Sequence, residues 1–480
     1  MDQRNIAEET EDFLLENMAG FYNENIDYFK GFEKELGVDI WFLEHFRMHF
    51  KLRNQKLNTK GRDVAGKSKY LMGGATFYQE LSIIIRAGWT KRRGKPKNIL
   101  LVNSRFVDEA GSFKFNTEET KDWSIMMNRE LLTVMDGGFR QTWKSNLNTD
   151  AIMLRYILSF RWVFDGLLFY FKLQKLLNRI RTKSKFSHLV LSELRNAAAS
   201  FMLYWFRFKS MEMFFKRINC ESLLMWDENS PQQKVIQYAA RGSGIRIGAI
   251  QHGSIYKHHP AYAYGHYAVP PFLPDMSFVW GSKFRDVLTG LNGYRPDTVV
   301  ITGKVKEQIE RSDSKCREGY WLYASQPLRN GTLREQVLLD VCRAASNGFE
   351  IVIRPHPTEK FDDYFHEIIS RFAPSNIRIE RHVPLLQHLS ECKGLLVTSS
   401  TVGFEFLEFN KPMIVMDYLE QDLMHWIKND LGTKVINFEE LEDALGLDQV
   451  NVSDNRMRVI ESLFFKNDDY ALKRILQHFN

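Results

Sequence analysis

Short runs of four to six apolar residues recur along the second half of the chain, each stopped by polar residues or glycine. Ser222 to Trp226, Ile245 to Ile250, Met276 to Trp280 and Val299 to Thr302 form one series. Tyr320 to Ala324, Glu350 to Arg354, Ile377 to Ile379, Leu395 to Thr398 and Pro412 to Met416 form a second, with a late strand near Val435. Runs this short that do not strictly alternate read as strands buried on both faces of a parallel sheet. Stretches of helical period separate them: one from about Pro231, then Leu333 to Ala345, Asp362 to Phe372, Leu385 to Ser390, and one ending near Phe409. Strands alternating with helices predict βαβ units. An earlier run, Asn98 to Asn103, has the same buried-strand character. The residues before it predict helices that end in the basic linker Lys91 to Lys97. Residues 120–216 read as mostly helical, and two segments there, 153–181 and 199–217, are dense in Phe, Trp, Leu, Arg and Lys.

Two βαβ series joined near residue 305 predict an α/β chain with two facing Rossmann-like domains and a helical N-terminal extension. The boundaries expected are 1–96 for the extension, 97–304 for the first Rossmann-like domain with a helical insertion, and 305–453 for the second. A helix over about 454–478, within a final segment 454–480, is expected to cross back. Ligands of open α/β sheets bind beyond the carboxyl ends of the strands. The polar residues there are Asp227-Glu228, Gln251-His252-Gly253, Gly303-Lys304, Ser325-Gln326, Arg354-Pro355-His356-Pro357 and Ser399-Ser400-Thr401. The site is therefore expected in the cleft between the domains.

Composition narrows the class. Of 480 residues, 44% are apolar and 26% charged, as in an ordinary globular protein, which excludes a disordered tail, a collagen-like rod and a polytopic membrane protein. The most apolar stretch, Met153 to Leu173, carries Arg155, Arg161 and Asp165. Each such charge costs about 2.5–3.5 kcal/mol at a bilayer centre. The net charge of +6 suits anionic partners: nucleotides, phosphorylated glycans or an anionic membrane surface. It is too small, without an aromatic-basic strand or a helix-turn-helix, to point to nucleic acid. Aromatic residues reach 13%, and the aromatic-basic segments suit both a core and docking on a membrane surface. The four cysteines, Cys220, Cys316, Cys342 and Cys392, form no Cys-x-x-Cys pair and no disulfide framework. With an acidic Met1 to Glu16 lacking a signal pattern, the expected compartment is the cytoplasm.

Four motifs carry chemistry. Ser399-Ser400-Thr401-Val402-Gly403-Phe404-Glu405 sits between a buried strand and a helix. Hydroxyls beside free N–H groups at a helix start hold a phosphate, or simply cap the helix. In Arg354-Pro355-His356-Pro357 two prolines stiffen the loop and present His356 to a phosphate or a departing oxygen. Gln251-His252-Gly253 offers His252 as a base or phosphate ligand, with Gly253 allowing a sharp turn or a close approach. Asp227 and Glu228 repel one another, so one can stay basic enough to take a proton from an acceptor hydroxyl; the alternative is a cap for the next helix.

Three other signals are set aside. Gly61 to Ser68 matches the P-loop pattern, but Asn54 to Lys60 cannot be the buried strand such a loop needs. His45 and His49 stand four apart with Phe46 where a zinc protease has Glu, and no third ligand is evident. His258, His259 and His266 follow the Gln-His-Gly turn without metal spacing.

Taken together these motifs resemble a family. Over about residues 220–420 the chain looks like the GT-B nucleotide-sugar glycosyltransferases of bacterial surface polysaccharides. Sialyl- and polysialyltransferases carry an acidic pair, a His-Pro pair and a Ser-Ser or Ser-Thr pair, and Asp227-Glu228, His356-Pro357 and Ser399-Ser400 follow that order. Asn229 stands where that family has glycine. CDP-glycerol glycerophosphotransferases of teichoic-acid synthesis carry a His-Gly turn, an Arg-x-His-Pro segment and a Ser-Ser pair, similar to His252-Gly253, Arg354 to Pro357 and Ser399-Ser400. Capsule Kdo transferases show a Gln-His-Gly-like turn. The resemblance implies a GT-B-like fold and transfer of a sugar from a nucleotide-activated, CMP-linked donor to a cell-surface glycan or lipid-linked acceptor. His356 would contact the donor phosphate and assist its departure. Ser399, Ser400 and Thr401 would hold it, with Gly253, Gly303, Lys304, Ser325, Gln326, Arg354, Pro357 and Glu405 around the donor. Asp227, Glu228 or His252 would be the base. No metal or cofactor is implied, because helix dipole and side chains offset the leaving charge. The alternatives are a CDP-polyol phosphotransferase of capsule or teichoic-acid type, a sugar-nucleotide epimerase, and a non-catalytic binding protein on the same scaffold.

Overall fold

The computed structural model describes residues 3–57, 98–103, 119, 123–128, 152–153, 160–218, 220–226, 228–290, 292–306, 319–326, 331–356, 363–372, 375–420, 422, 424–447, 454–466 and 468–479. The linker Lys91 to Lys97 and the segment Gly61 to Ser68 lie outside them. The chain divides into two compact units: an N-terminal unit, Glu9–Glu307 with Asp468–Asn480, and a C-terminal unit, Gln308–Asn467 with Met1–Glu8.

The N-terminal unit takes in α1 (Gln3–Glu24) from Glu9 onward, then α2 (Ile26–Leu36) and α3 (Ile40–Leu57). Gly37 ends α2 in the left-handed region at φ +84°, and its N–H bonds back to the Glu33 carbonyl at 2.7 Å. Buried Asp39 opens α3 by accepting from the Trp41 N–H at 3.0 Å. Then follow β1 (Asn98–Asn103), β2 (Ser124–Asn128), β3 (Ile152–Met153), α4 (Phe160–Arg179), α5 (Lys185–Asn196), α6 (Ala198–Ile218), β4 (Ser222–Trp226), α7 (Pro231–Gly242), β5 (Arg246–Ile250), β6 (Met276–Val279), α8 (Ser282–Gly290) and β7 (Val299–Ile301). The seven strands among the described residues are all parallel, in the order β3-β2-β1-β4-β5-β6-β7.

The C-terminal unit runs β8 (Trp321–Ala324), α9 (Gly331–Ser346), β9 (Ile351–Arg354), α10 (Asp363–Phe372), β10 (Ile377–Ile379), α11 (Leu385–Glu391), β11 (Gly394–Val397), α12 (Val402–Phe406), β12 (Met413–Met416), β13 (Thr433–Val435), α13 (Phe438–Gly446) and α14 (Asp454–Leu463). The six strands among its described residues are also all parallel, in the order β10-β9-β8-β11-β12-β13. In both sheets the chain starts mid-sheet, winds outward, then returns past its starting strand to wind the other way. That is the strand order of a dinucleotide-binding sheet. The α/β class expected from the apolar runs, with two Rossmann-like sheets and helices before them, is what is observed.

Each sheet has its own core. In the C-terminal unit Trp321, Tyr323, Ile351, Ile353, Leu396, Ile414 and Met416 pack with Val337, Val341 and Ile368 of the covering helices. In the N-terminal unit Leu100, Leu224, Trp226, Ile250 and Phe278 pack with Leu472, Ile475 and Leu476 of α15 (Ala471–Leu476), the last helix of the chain. Arg474 fixes that segment by pairing with Asp468 and donating to the Thr302 carbonyl at 2.7 Å.

Three elements depart from the pattern reading. Residues 120–216, read as mostly helical, contain β2 and β3. Ser124 to Asn128 holds only three consecutive apolar residues, too short a run to read as a strand, and β3 has only two residues. Residues 454–478, read as one helix, form α14 and α15 with Lys466 at φ +46° between them. The aromatic segment 199–217 is interior: Phe201, Tyr204, Trp205, Phe208, Met211 and Phe215 of α6 are buried. Among the described residues, no helix is long and apolar enough to cross a membrane.

Candidate functional site

In the C-terminal unit the winding direction reverses between β8 and β11, which opens a crevice beyond their carboxyl ends. Ser325 and Gln326 follow β8, and Thr398 to Thr401 follow β11. The crevice is closed across by a hydrogen bond: Gln326 Nε2 donates to Ser399 Oγ at 2.6 Å. Ser325 is buried, and its N–H donates to the Arg354 carbonyl at 2.9 Å, tying β8 to β9.

The hydroxyls after β11 divide their work. Ser400 is buried just before the cap residue Thr401 of α12, its Oγ accepting from the Val402 N–H at 3.4 Å and its carbonyl from the Gly403 N–H at 3.1 Å. Ser399 is half-buried and held by Gln326. Thr401 is exposed at the helix start and makes no side-chain cap bond. Thr398 Oγ1 is buried without a hydrogen-bond partner. So Ser400 serves the helix start and Thr398 is closed off, which leaves Thr401 and the hydroxyl proton of Ser399 for a ligand. Glu405 is half-buried in the first turn of α12.

Arg354 and His356 leave β9 beside β8. Arg354 is half-buried, and its guanidinium donates to the Val383 carbonyl. Burial lowers its pKa from the ordinary arginine value, against the pull of Glu380. Arg354 thus braces the loop before α11 in addition to any role toward a ligand. Pro355 is buried and His356 half-buried, so the ring stands where the stiff loop places it. Pro357 lies outside the described residues.

The loop after β12 was not singled out from the sequence. Asp417 and Asp422 are buried within it. Asp417 accepts from the Asp422 N–H at 3.1 Å, and Asp422 from the N–H groups of Ile427 and Lys428 at 3.1 and 2.8 Å. Glu420, Asp422, His425 and Asp430 all adopt positive φ. Non-glycine residues held in that region store strain, and strain of this kind gathers at ligand sites. The loop meets α12 where Gly403 lies against the Trp426 indole; a Cβ at Gly403 would sit 2.4 Å from it. The available signal was Asp417 directly after a buried strand.

In the N-terminal unit Asp227 lies outside the described residues. Glu228 and Asn229 follow β4 and are buried. The cap of α7 is Ser230, whose Oγ accepts from the Gln233 N–H at 3.3 Å, with Pro231 next. Glu228 is therefore not the cap. Its carbonyl accepts from Gln237 Nε2 at 2.6 Å, and its charge acts on Tyr264 and Tyr294, both raised in pKa chiefly by burial.

Beyond β5, Gln251 is a staple. Its Oε1 accepts from the Trp280 N–H at 2.9 Å, its carbonyl from the Trp280 indole at 3.1 Å, and its Nε2 donates to the Gly253 carbonyl at 2.8 Å. His252 is carried half-buried on this fixed turn. Gly253 bends the chain without a positive φ, and a Cβ there would meet open space, so neither backbone nor packing requires glycine at this position. Gly303 after β7 does require glycine, at φ +86° and buried. Lys304 follows it with Nζ 5.6 Å from the Trp280 ring centre.

The N-terminal helices bury the segment that follows this turn. His258 pairs with Asp12 at 2.8 Å, His49 with Glu11 at 3.0 Å, and Trp41 Nε1 donates to the Tyr267 hydroxyl at 3.2 Å. His45 and His259 lie within this packing. Burial pushes each down to about 3, with His49 adding to both and His252 to His259. The His45, His49 and His258 signals are thus accounted for by helix docking. Among the described residues, no group of three or more His, Cys, Asp or Glu side chains could hold a metal ion.

No family model matches the chain, and no curated protein matches it. Solved structures do. A glycosyltransferase of kitacinnamycin aligns over 80% of this chain and 100% of its own, at 12% identity and TM-score 0.48. The wall teichoic acid polymerase TagF aligns over 87% and 98%, at 9% and 0.46. The UDP-GlcNAc 2-epimerase from Neisseria meningitidis bound to UDP-GlcNAc aligns over 79% and 98%, at 12% and 0.44. Values in this range say nothing about substrate.

Proposed function

We propose that the chain is a glycosyltransferase that moves a sugar from a nucleotide-activated, CMP-linked donor to a cell-surface glycan or lipid-linked acceptor. One observation carries the donor side: the Gln326–Ser399 bond lies where the winding of the C-terminal sheet reverses, the place where such sheets bind nucleotides. The cytidine is supported by the order of the motifs at residues 227, 356 and 399. Ser399 and Thr401 hold the donor phosphate, Ser400 fixes the helix start behind them, and His356 donates a hydrogen bond to the departing phosphate oxygen. The base takes a proton from the acceptor hydroxyl, that oxygen bonds to the anomeric carbon, and the carbon–oxygen bond to the phosphate breaks. Charge on the departing oxygen is met by fixed donors, which lowers the barrier without reorganisation. His252 is assigned as the base, because it is half-buried on a stapled turn, whereas Glu228 is only 4% exposed. The two roles are assigned separately, each within its own unit. Buried Cys220, Cys342 and Cys392, none of them in a disulfide among the described residues, fit a reducing cytoplasm.

A second reading is transfer of a polyol phosphate from a CDP-linked donor. It is favoured by the stapled His252-Gly253 turn, the motif shared with that family. Both reactions release CMP. Analysis of the acceptor product separates them, since only the second adds phosphate.

The test is a thermal-shift panel of CMP, CDP, UDP, GDP and ATP on the wild type and His356→Ala. A ligand at about 100 times its Kd stabilises the folded state by about 2.7 kcal/mol. Selective stabilisation by a cytidine nucleotide, weakened in the variant, is expected. Stabilisation by UDP or GDP alone removes the cytidine, and no response to any nucleotide leaves a non-catalytic scaffold.

A further inference from the structure

Helix α4 is apolar on two sides. Its inner side, Phe169, Leu173, Leu176 and Leu177, is buried, and Gly166 lets Phe206 of α6 approach so closely that a Cβ would sit 2.3 Å from the ring. Its outer side is a stripe of Phe164, Leu167, Leu168 and Phe171, exposed by 72%, 49%, 48% and 67%. These are four of the twelve large hydrophobic residues exposed among the described residues, within eight consecutive positions of one helix. Spacing of three and four places them on one face, about 10 Å long from Phe164 to Phe171. A concentrated patch of this kind marks a surface that meets an apolar partner.

Charge identifies the partner. Residues 172–185 carry Lys172, Lys175, Arg179, Arg181, Lys183 and Lys185 and no carboxylate. Lys172 pairs with Glu35, and Lys183 with Glu24 at 3.1 Å. Lys175, Arg179, Arg181 and Lys185 are exposed and form no ion pair with another described residue. Lys175 and Arg179 continue the apolar stripe at its C-terminal end, by the same spacing of four. An aromatic stripe running into unpaired cations matches a bilayer, where rings enter the acyl boundary and cations meet anionic headgroups.

We infer that the outer face of α4 docks this protein on an anionic lipid bilayer, with Phe164, Leu167, Leu168 and Phe171 inserted and Lys175, Arg179, Arg181 and Lys185 on the headgroups. The chain lies on the surface and does not cross it. This inference does not depend on the donor assignment, because its readout is binding to lipid alone.

The full chain is sedimented with phosphatidylcholine vesicles, with and without phosphatidylglycerol, at low and high salt. The wild type is expected to pellet with the anionic vesicles and to be released by salt, because exposed charge pairs are screened. Phe164→Ser with Phe171→Ser is expected to lose vesicle affinity at least about tenfold, since two buried rings are removed. Phe164→Leu with Phe171→Leu is expected to keep most of it. Lys175→Glu with Arg179→Glu is expected to abolish the preference for anionic lipid while melting like the wild type. Should the serine pair lower the melting temperature, the leucine and glutamate pairs still decide. Equal sedimentation of the wild type and a well-folded serine pair overturns the inference. So does a wild-type dimer in light scattering that the serine pair converts to monomer without any change in lipid binding, because a second copy then covers the stripe.

Discussion

Gln326 and Ser399 stand 73 residues apart in sequence, yet the Gln326 amide donates to the Ser399 hydroxyl at 2.6 Å. The sheet order makes the pair: β8 and β11 are neighbours only because the chain leaves β8 in one direction and returns on its other side. The bond orients the Ser399 hydroxyl by making its oxygen the acceptor of one amide N–H, which leaves the hydroxyl proton free to point at an anion.

Nucleotide affinity should therefore depend on both members as a unit. Ser399→Ala removes the ligand contact, and Gln326→Ala removes its orientation. Each is expected to weaken nucleotide binding by up to about tenfold, the scale of one net hydrogen bond. The double variant is expected to lose less than the sum, as neighbours in one network do. Titration calorimetry with the nucleotide chosen by the thermal-shift panel measures all three. Unchanged affinity in both single variants removes the crevice from the nucleotide site.

Gly403 tests the junction between α12 and the strained loop after β12. A methyl there would lie 2.4 Å from the Trp426 indole, inside contact distance. Gly403→Ala must push α12 or the ring aside, which costs about 1–3 kcal/mol in a packed interior. Gly253→Ala is the matched control, because its Cβ would meet open space and its φ is not positive. Denaturant midpoints should separate the two variants, and nucleotide affinity should fall with Gly403→Ala alone. Equal midpoints would mean that the ring yields freely.

Much of this frame was legible in the chain and some was not, for physical reasons. Ile351 to Arg354 and Leu395 to Val397 announce themselves as strands because they are buried on both faces and bounded by polar turns. The residues at their ends could be read from the same runs. What could not be read is anything set by contacts far apart in sequence. Examples are the Gln326–Ser399 bond, the Gln251 staple onto Trp280, and the docking of His49 and Trp41 beside residues 258–267. Gly253 shows a related limit: the chain bends there, yet its φ is not positive and a Cβ would meet open space, so the bend itself does not call for glycine. Asp417 and Asp422 were passed over because two carboxylates in a loop look solvated until burial is known.

The docked N-terminal helices should loosen in acid. Burial holds His45 and His259 at about 3, below the value of about 6.5 in an unfolded chain. A lowered folded pKa means the unfolded state binds more protons between those limits. Stability from these groups is therefore complete above pH 6.5 and falls as pH drops toward 3. Asp39 and Glu44 on the same helices act in the opposite sense, because burial raises their pKa values and their contribution is lost as pH rises. The difference between wild type and His45→Phe isolates one histidine among the rings of Trp41, Phe42, Tyr264 and Tyr267. The wild-type urea midpoint should fall relative to the variant between pH 6.5 and 4.5. Parallel curves would show that His45 does not titrate in this range.

Gln251 offers the sharpest separation of fold from chemistry in the N-terminal unit. Gln251→Ala leaves the buried Trp280 N–H without its acceptor, an unsatisfied group costing about 1–3 kcal/mol. It also frees the turn that carries His252, so kcat for sugar transfer should fall well beyond what the lost stability explains. Gln251→Glu keeps the acceptor toward Trp280 but loses the donor to the Gly253 carbonyl. It should recover most of the stability and only part of the rate. His252→Gln should leave the urea midpoint near that of the wild type and remove the general base, seen as a lowered kcat and a flattened acid side of the pH–rate profile. Transfer that keeps its rate and its pH profile in His252→Gln would return the base to the acidic pair after β4.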